Sequence, residues 1–249
     1  MVMNPEATLS PLANPNLPLR TLAAIAKSSV LIVAPHPDDE TLGCGGAIAL
    51  LRSLGCDVRV MVLSNGTMSH PRSRKYPASA LQALRESESL EALSILGVAA
   101  DAVTFVRLQD GAIPTWKTGG IRSAILACRT YITEISPQTI FLPWRNDPHP
   151  DHRASWNLIQ AALVDLPLAP RCIEYPIWDW DPDQRRDLPK DITSWRLDIG
   201  TVVELKQQAI AAYRSQTTDL IDDDPTGFRL SSELLMNFTR SWEVYLEAE

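Results

Sequence analysis

The chain alternates between short, nearly continuous apolar runs and longer segments in which apolar residues recur every three or four positions. Residues 29–34, SVLIVA, predict a strand buried on both faces, because no polar side chain follows Ser29 within the run. DVRVMVLS (57–64), AVTFVRL (102–108) and TIFLPW (139–144) predict three more strands. Helix-like segments separate them: 41–54, ending at Gly55; 78–96; and 120–135, where Ile121, Ile125, Cys128, Ile132 and Ile135 keep a 4-3-4-3 spacing. A further helix starts near Asp151, and RCIEYPIW (171–178) and SWRLDI (194–199) supply two later strands. Thr201 and Glu204 have capping-box spacing for a helix reaching about Tyr213. Leu234, Phe238, Trp242 and Tyr245 predict a final amphipathic helix.

This alternation predicts an α/β fold with a mainly parallel sheet and helices on both faces. The 249 residues suit one such domain, residues 22–249, preceded by an extended arm, residues 1–21, in which Pro5, Pro11, Pro15 and Pro18 disfavour regular structure. A net charge of −7 argues against nucleic acid as a partner. No apolar run approaches the roughly 20 residues of a membrane span, and the first residues lack the pattern of a secretory leader. Cys44, Cys56, Cys128 and Cys172 are widely spaced and form no CxxC pair, which indicates reduced thiols in a cytoplasmic protein.

In such a fold the functional site lies beyond the carboxyl ends of the strands. Two polar clusters occupy that position: His36, Asp38, Asp39 and Glu40 after the first strand, and His149, Asp151 and His152 after the fourth. His and Asp are good ligands for zinc and similar ions, and a catalytic zinc usually has three protein ligands. His36 and Asp39 with His152 can supply such a set, although spacing alone does not separate the roles of His149 and His152. Asp38 is then free to act as a base.

APHPDDETLGCGG, followed about 110 residues later by PWRNDPHPDHRAS, closely resembles the PIG-L/LmbE-like family of metal-dependent deacetylases, which hydrolyse N-acetyl groups on glucosamine-containing substrates. The resemblance implies a single Rossmann-like α/β domain with His36, Asp39 and His152 as ligands of Zn2+, or of another divalent ion such as Fe2+. It further implies Asp38 as general base, a protonated His149 stabilising the oxyanion, and Asp151 holding an imidazole in position. By the same resemblance Arg85, which shares a helix stripe with Leu81, Leu84, Glu88, Ala92 and Ile95, and Asp110, in RLQDG, bind the sugar. The implied partner is a small acetylated amino sugar or glycoconjugate, and a homo-oligomer is compatible with this. An amidase on a secondary metabolite or S-conjugate, and a non-catalytic metal or sugar binder, are the alternatives.

Other features are read more plainly. GCGG is not a dinucleotide fingerprint, because HPDDET separates it from the strand. His70 is read as a loop residue, and Arg72, Arg74 and Lys75 with Arg85 suggest an anionic substrate. LIDDDP (220–225) reads as a solvated acidic loop. Trp178 and Trp180 are candidates for stacking on a sugar ring.

Overall fold

The structure is a computed structural model that describes residues 12, 14–22, 29–167, 169–180 and 188–248. In chain order its elements are β1 (Ser29–Ala34), α1 (Asp39–Ser53), β2 (Asp57–Ser64), α2 (Ala78–Ile95), β3 (Val103–Leu108), α3 (Ile121–Ile135), β4 (Thr139–Pro143), α4 (Pro150–Leu163) and β5 (Arg171–Tyr175). β6 (Ile192–Asp198), α5 (Val203–Ala211), α6 (Arg214–Thr217), α7 (Ser232–Phe238) and β7 (Trp242–Ala248) complete it. Seven strands form one sheet in the order β3-β2-β1-β4-β5-β7-β6, parallel from β3 to β5.

The uninterrupted apolar run of β1 follows from having a core on each side. Val30 and Ile32 pack with Ile48 and Leu51 of α1, Leu93 of α2 and Ile210 of α5. Leu31 and Val33 point the other way, into a second core with Ile121 and Cys128 of α3 and Leu158 and Ile159 of α4. The glycines of GCGG serve close packing of α1: a Cβ on Gly43 would lie 2.2 Å from the Tyr175 ring, and one on Gly46 would lie 2.6 Å from Ile199.

Three local expectations are corrected. The final amphipathic helix is instead α7, which stops at Phe238, and β7, which inserts antiparallel between β5 and β6. The misleading signal is Glu243, a charge on an interior position that masks the strand's alternation, while Trp242 and Tyr245 happen to fall at helical spacing from Phe238. The capping box at Thr201 does not form, since α5 begins after Val202 without a side-chain cap and ends at Ala211. β5 stops at Tyr175, before Pro176, which cannot donate to a ladder.

Of the N-terminal arm, Pro18 to Arg20 run beside β6, with Arg20 N–H donating to the Arg196 carbonyl at 2.9 Å and Arg196 N–H to that of Pro18 at 2.8 Å. Most of the arm lies outside the described residues. No helix among the described residues is long and apolar enough to cross a membrane.

Buried Lys206 explains how Glu243 is tolerated. Its ammonium donates to Glu243 Oε1 at 2.8 Å and to the Leu42 carbonyl at 2.7 Å. Glu243 also accepts the N–H groups of Gly46 and Ala47, at 2.7 and 2.8 Å, and the Tyr245 hydroxyl. One ion pair thereby ties α1, α5 and β7 together. Glu243→Leu strands Lys206 and is expected to lower unfolding free energy by about 3–5 kcal/mol in urea denaturation, whereas a loss under about 1 kcal/mol would contradict this.

Candidate active site

β1 and β4 are neighbours, registered Val30 to Thr139 through Ile32 to Phe141, and the helices that follow them pack on opposite faces. A crevice opens where the two chains diverge, as the switch point of a doubly wound sheet requires. Both polar clusters meet there.

After β1, Asp38 caps α1 with φ 129° and ψ −29°, a conformation rare for a residue with a Cβ. Its N–H donates to Glu40 Oε2 at 3.2 Å, and Glu40 Oε1 accepts the Tyr213 hydroxyl, so a buried pair holds the turn. After β4, His149 caps α4, Pro150 takes the first helical position, and Asp151 and His152 follow in the first turn. The Asp151 N–H donates to His149 Nδ1 at 3.2 Å, which leaves the proton of a neutral His149 ring on Nε2.

The side chains converge on Asp39. Its Oδ2 lies 3.2 Å from His36 Nδ1 and 3.3 Å from His152 Nε2. Nitrogens of His36, His149 and His152 also lie within 4.8 Å of one another. His152 is fully buried, and neither of its ring nitrogens makes a well-formed hydrogen bond, although Asp39 and Asp147 lie 3.3 and 3.4 Å away. A buried imidazole nitrogen left open toward a carboxylate and a second imidazole fits a divalent cation. His149 differs: its Nδ1 is occupied, its ring borders the cavity, and it stacks on Trp178 with centroids 6.1 Å apart. Asp151 does face an imidazole, that of His36, whose Nε2 is 3.3 Å from Asp151 Oδ2 and 3.2 Å from Asp110 Oδ1.

Carboxylates outnumber cations here, and the ionisation of the groups follows. Burial disfavours charge on His152, yet Asp147 and Asp39 raise its pKa to about 9. Burial likewise opposes charge on His36, but Asp110, Asp151 and Asp39 hold its pKa well above the usual value. Asp39 stays ionised against burial because of His152 and His36. Burial, then the cationic His152 and His36, push His149 down to about 4. Burial thus opposes the imidazolium that the resemblance implies, and with Nδ1 occupied a neutral ring presents an Nε2–H donor. Burial lifts Asp38 to about 8 despite Arg85.

Arg85 is buried and pairs with Asp38 rather than with Glu88: Nη2 donates to Asp38 Oδ2 at 3.0 Å and to the Pro37 carbonyl at 2.5 Å, and Nη1 to the Gly66 carbonyl at 3.0 Å. Glu88 instead accepts the N–H and hydroxyl of Ser215 at 2.8 and 2.6 Å. Asp110 Oδ2 accepts the Met68 N–H at 2.8 Å. Both Arg85 and Asp110 border a cavity of about 270 Å³ above the His and Asp cluster, with Trp178 in its wall. Trp180 does not line this cavity and packs near Phe238 and Trp242.

Met68 and Ser69 of the loop after β2 line the cavity, but its basic side chains do not. Arg72, Arg74 and Lys75 are exposed, and Arg85 is the one Arg or Lys in the wall among the described residues. LIDDDP is likewise no free loop: Asp223 accepts the Ser73 hydroxyl at 2.7 Å and the N–H groups of Arg74 and Lys75 at 2.8 and 2.9 Å, and Asp224 accepts that of Arg72 at 2.8 Å. His70 is a buried loop residue against Gly227. Reading the sequence misses Asp147, whose Oδ1 accepts the His149 N–H at 2.9 Å and whose Oδ2 accepts those of Ile177 and Trp178 at 3.2 and 3.1 Å. Its place two residues before a helix-capping His is the signal that could have found it. Tyr213 leaves no such signal.

Comparison with known proteins agrees with this geometry. Residues 31–163 match the model of the PIG-L family, described as GlcNAc-PI de-N-acetylase. A diacetylchitobiose deacetylase of Thermococcus kodakarensis is 30% identical over 198 residues, covering 75% of this chain and 69% of its own. A probable N-acetyl-alpha-D-glucosaminyl L-malate deacetylase 2 of Bacillus cereus is 26% identical, covering 78% of this chain and 86% of its own. The solved N,N'-diacetylchitobiose deacetylase from Pyrococcus horikoshii, bound to an inhibitor, has a TM-score of 0.59 at 25% identity and covers 78% of this chain and 72% of its own. The sheet, the crevice and these relatives define a hydrolase of the N-deacetylase class. The chain belongs to the PIG-L family.

Asp147 and Asp39 favour a proton on buried His152, so a cation held by that imidazole would have to displace it. Zn2+ affinity is therefore expected to strengthen as pH rises from 6 toward 9, with proton release in calorimetry across buffers of differing ionisation enthalpy. Affinity independent of pH would contradict the assignment.

Proposed function

We propose that the protein is a zinc-dependent deacetylase that removes the N-acetyl group from an acetylated amino sugar or a glycoconjugate carrying one, in the cytoplasm. The observation that carries the reading is the convergence of His36, Asp39 and His152 beside Asp38 and His149, on a cavity of about 270 Å³. Relatives named for diacetylchitobiose and for an N-acetylglucosaminyl malate support the substrate class. His36, Asp39 and His152 would hold Zn2+, or another divalent ion such as Fe2+. Such an ion, when bound, polarises the acetyl carbonyl and makes water a stronger nucleophile near neutral pH.

The chain's own residues account for the proton movements. Arg85 fixes Oδ2 of Asp38, leaving Oδ1 to take the proton of the attacking water. The Asp38 carboxylate can take that proton and return it to the departing nitrogen. His149 donates from Nε2 to the carbonyl oxygen as negative charge builds there, because its Nδ1 is held by the Asp151 N–H. Asp151 and Asp110 orient His36. Arg85 and Asp110 border the cavity wall where sugar hydroxyls would sit, and the Asp110 carboxylate can accept from them.

The test is acetate release from N-acetylglucosamine and a panel of its glycosides by metal-loaded protein. Wild type is expected to release acetate, and Asp38→Asn to lower kcat by about 10²–10⁴-fold with metal content unchanged. Chelation should abolish turnover, and added metal should restore it. Metal-loaded protein that releases no acetate from any acetylated amino sugar would overturn the reading.

A further inference from the structure

The reaction cavity does not end at the sugar. A second chamber of about 430 Å³ adjoins it and shares three residues of its lining, Trp178, Phe228 and Leu234. The shared wall is apolar: the Trp178 and Phe228 rings lie 5.6 Å apart at 58°, and Leu230, 8% exposed, backs the inner chamber. The inner space alone falls just below the roughly 300–1,000 Å³ of ordinary ligand pockets, whereas the two together fall within it.

Charge decides what the outer chamber accepts. Arg85, the arginine of the inner wall, is committed to Asp38 and two backbone carbonyls. Arg229, the cation of the outer wall among the described residues, pairs with Asp219, and Glu233 adds a negative charge on the same wall. An anionic aglycone would find no uncommitted Arg or Lys among these residues, and Asp38, Asp39, Asp110 and Glu233 border the same space. An apolar aglycone removes its own surface and that of Phe228, Trp178 and Leu234 from water.

We infer that Trp178, Phe228 and Leu234 form a subsite for an apolar alkyl or aryl aglycone, so that the substrate is an uncharged N-acetylamino-sugar glycoside with a hydrophobic tail. This rests on the deacetylase reading above. The sugar sits over the His and Asp cluster, and the aglycone runs along the shared Trp178, Phe228 and Leu234 surface toward the outer chamber.

The test is kcat/KM for acetate release from methyl, propyl and hexyl N-acetylglucosaminides, in both anomeric forms, beside a glycoside with a carboxylate-ended chain of hexyl length. In one anomeric series each added methylene is expected to raise kcat/KM two- to fourfold, full burial giving about fourfold, and the carboxylate should cancel the gain. Leu234→Asn should flatten the hexyl-to-methyl ratio measured within that variant. Ser231→Asp, which keeps the cap of α7 while adding charge to the outer chamber, should do the same. Acetate release that is independent of chain length, or a preference for the carboxylate, overturns the subsite and leaves the deacetylase reading standing. If no glycoside is hydrolysed, that reading falls, and calorimetry still decides the subsite: tighter binding of hexyl than methyl glycoside supports it, and equal affinities overturn it.

Discussion

Everything at this site depends on the pairing of β1 with β4. Three registered residue pairs bring together two motifs separated by more than a hundred residues, and the opposed winding of α1 and α4 opens the space between them. The sheet is tied together at its far end by the buried Lys206 and Glu243 pair, so the strand ends present the His and Asp cluster on a rigid floor. A site placed on strand ends and the first turns of helices is held more precisely than one on free loops.

The second constraint is electrostatic. Five aspartates, Asp38, Asp39, Asp110, Asp147 and Asp151, are buried around three imidazoles. Such a set is stable only with positive charge among them, which protons on His36 and His152 can supply and a divalent ion can supply better. The same field works in opposite directions on neighbouring groups, keeping His152 cationic and His149 neutral three residues away. Asp38 is set apart from Asp39 by its backbone: at φ 129° it turns toward Arg85 while Asp39 turns toward the imidazoles. Strain at one residue thus separates two adjacent carboxylates into different environments.

Much of this was legible in the sequence. The β1 run after Ser29 and the spacing of Ile121 to Ile135 fixed the parallel α/β layers because burial on two faces and on one stripe leaves distinct patterns. The HPDD and HPDH clusters were visible because the chain has four histidines, two of them packed into PHPDH beside acids. What stayed hidden depends on partners distant in sequence. β7 was masked by Glu243, whose charge makes sense only opposite Lys206. The clasp of Asp223 and Asp224 on the 72–75 backbone, and the Glu40 to Tyr213 contact, join segments about 150 and 173 residues apart. Arg72, Arg74 and Lys75 are close in sequence to the cavity loop yet turn outward, so their charge does not reach the cavity wall where the sequence suggested it.

The central claim, one cation held by two imidazoles and a carboxylate, is most directly tested by X-ray absorption on protein loaded with one equivalent of Zn2+. A first shell of nitrogen and oxygen alone at about 2.0–2.1 Å, with the outer scattering of two imidazoles, is the result predicted. A sulfur shell near about 2.3 Å, or a spectrum that His152→Ala leaves unchanged, would contradict it.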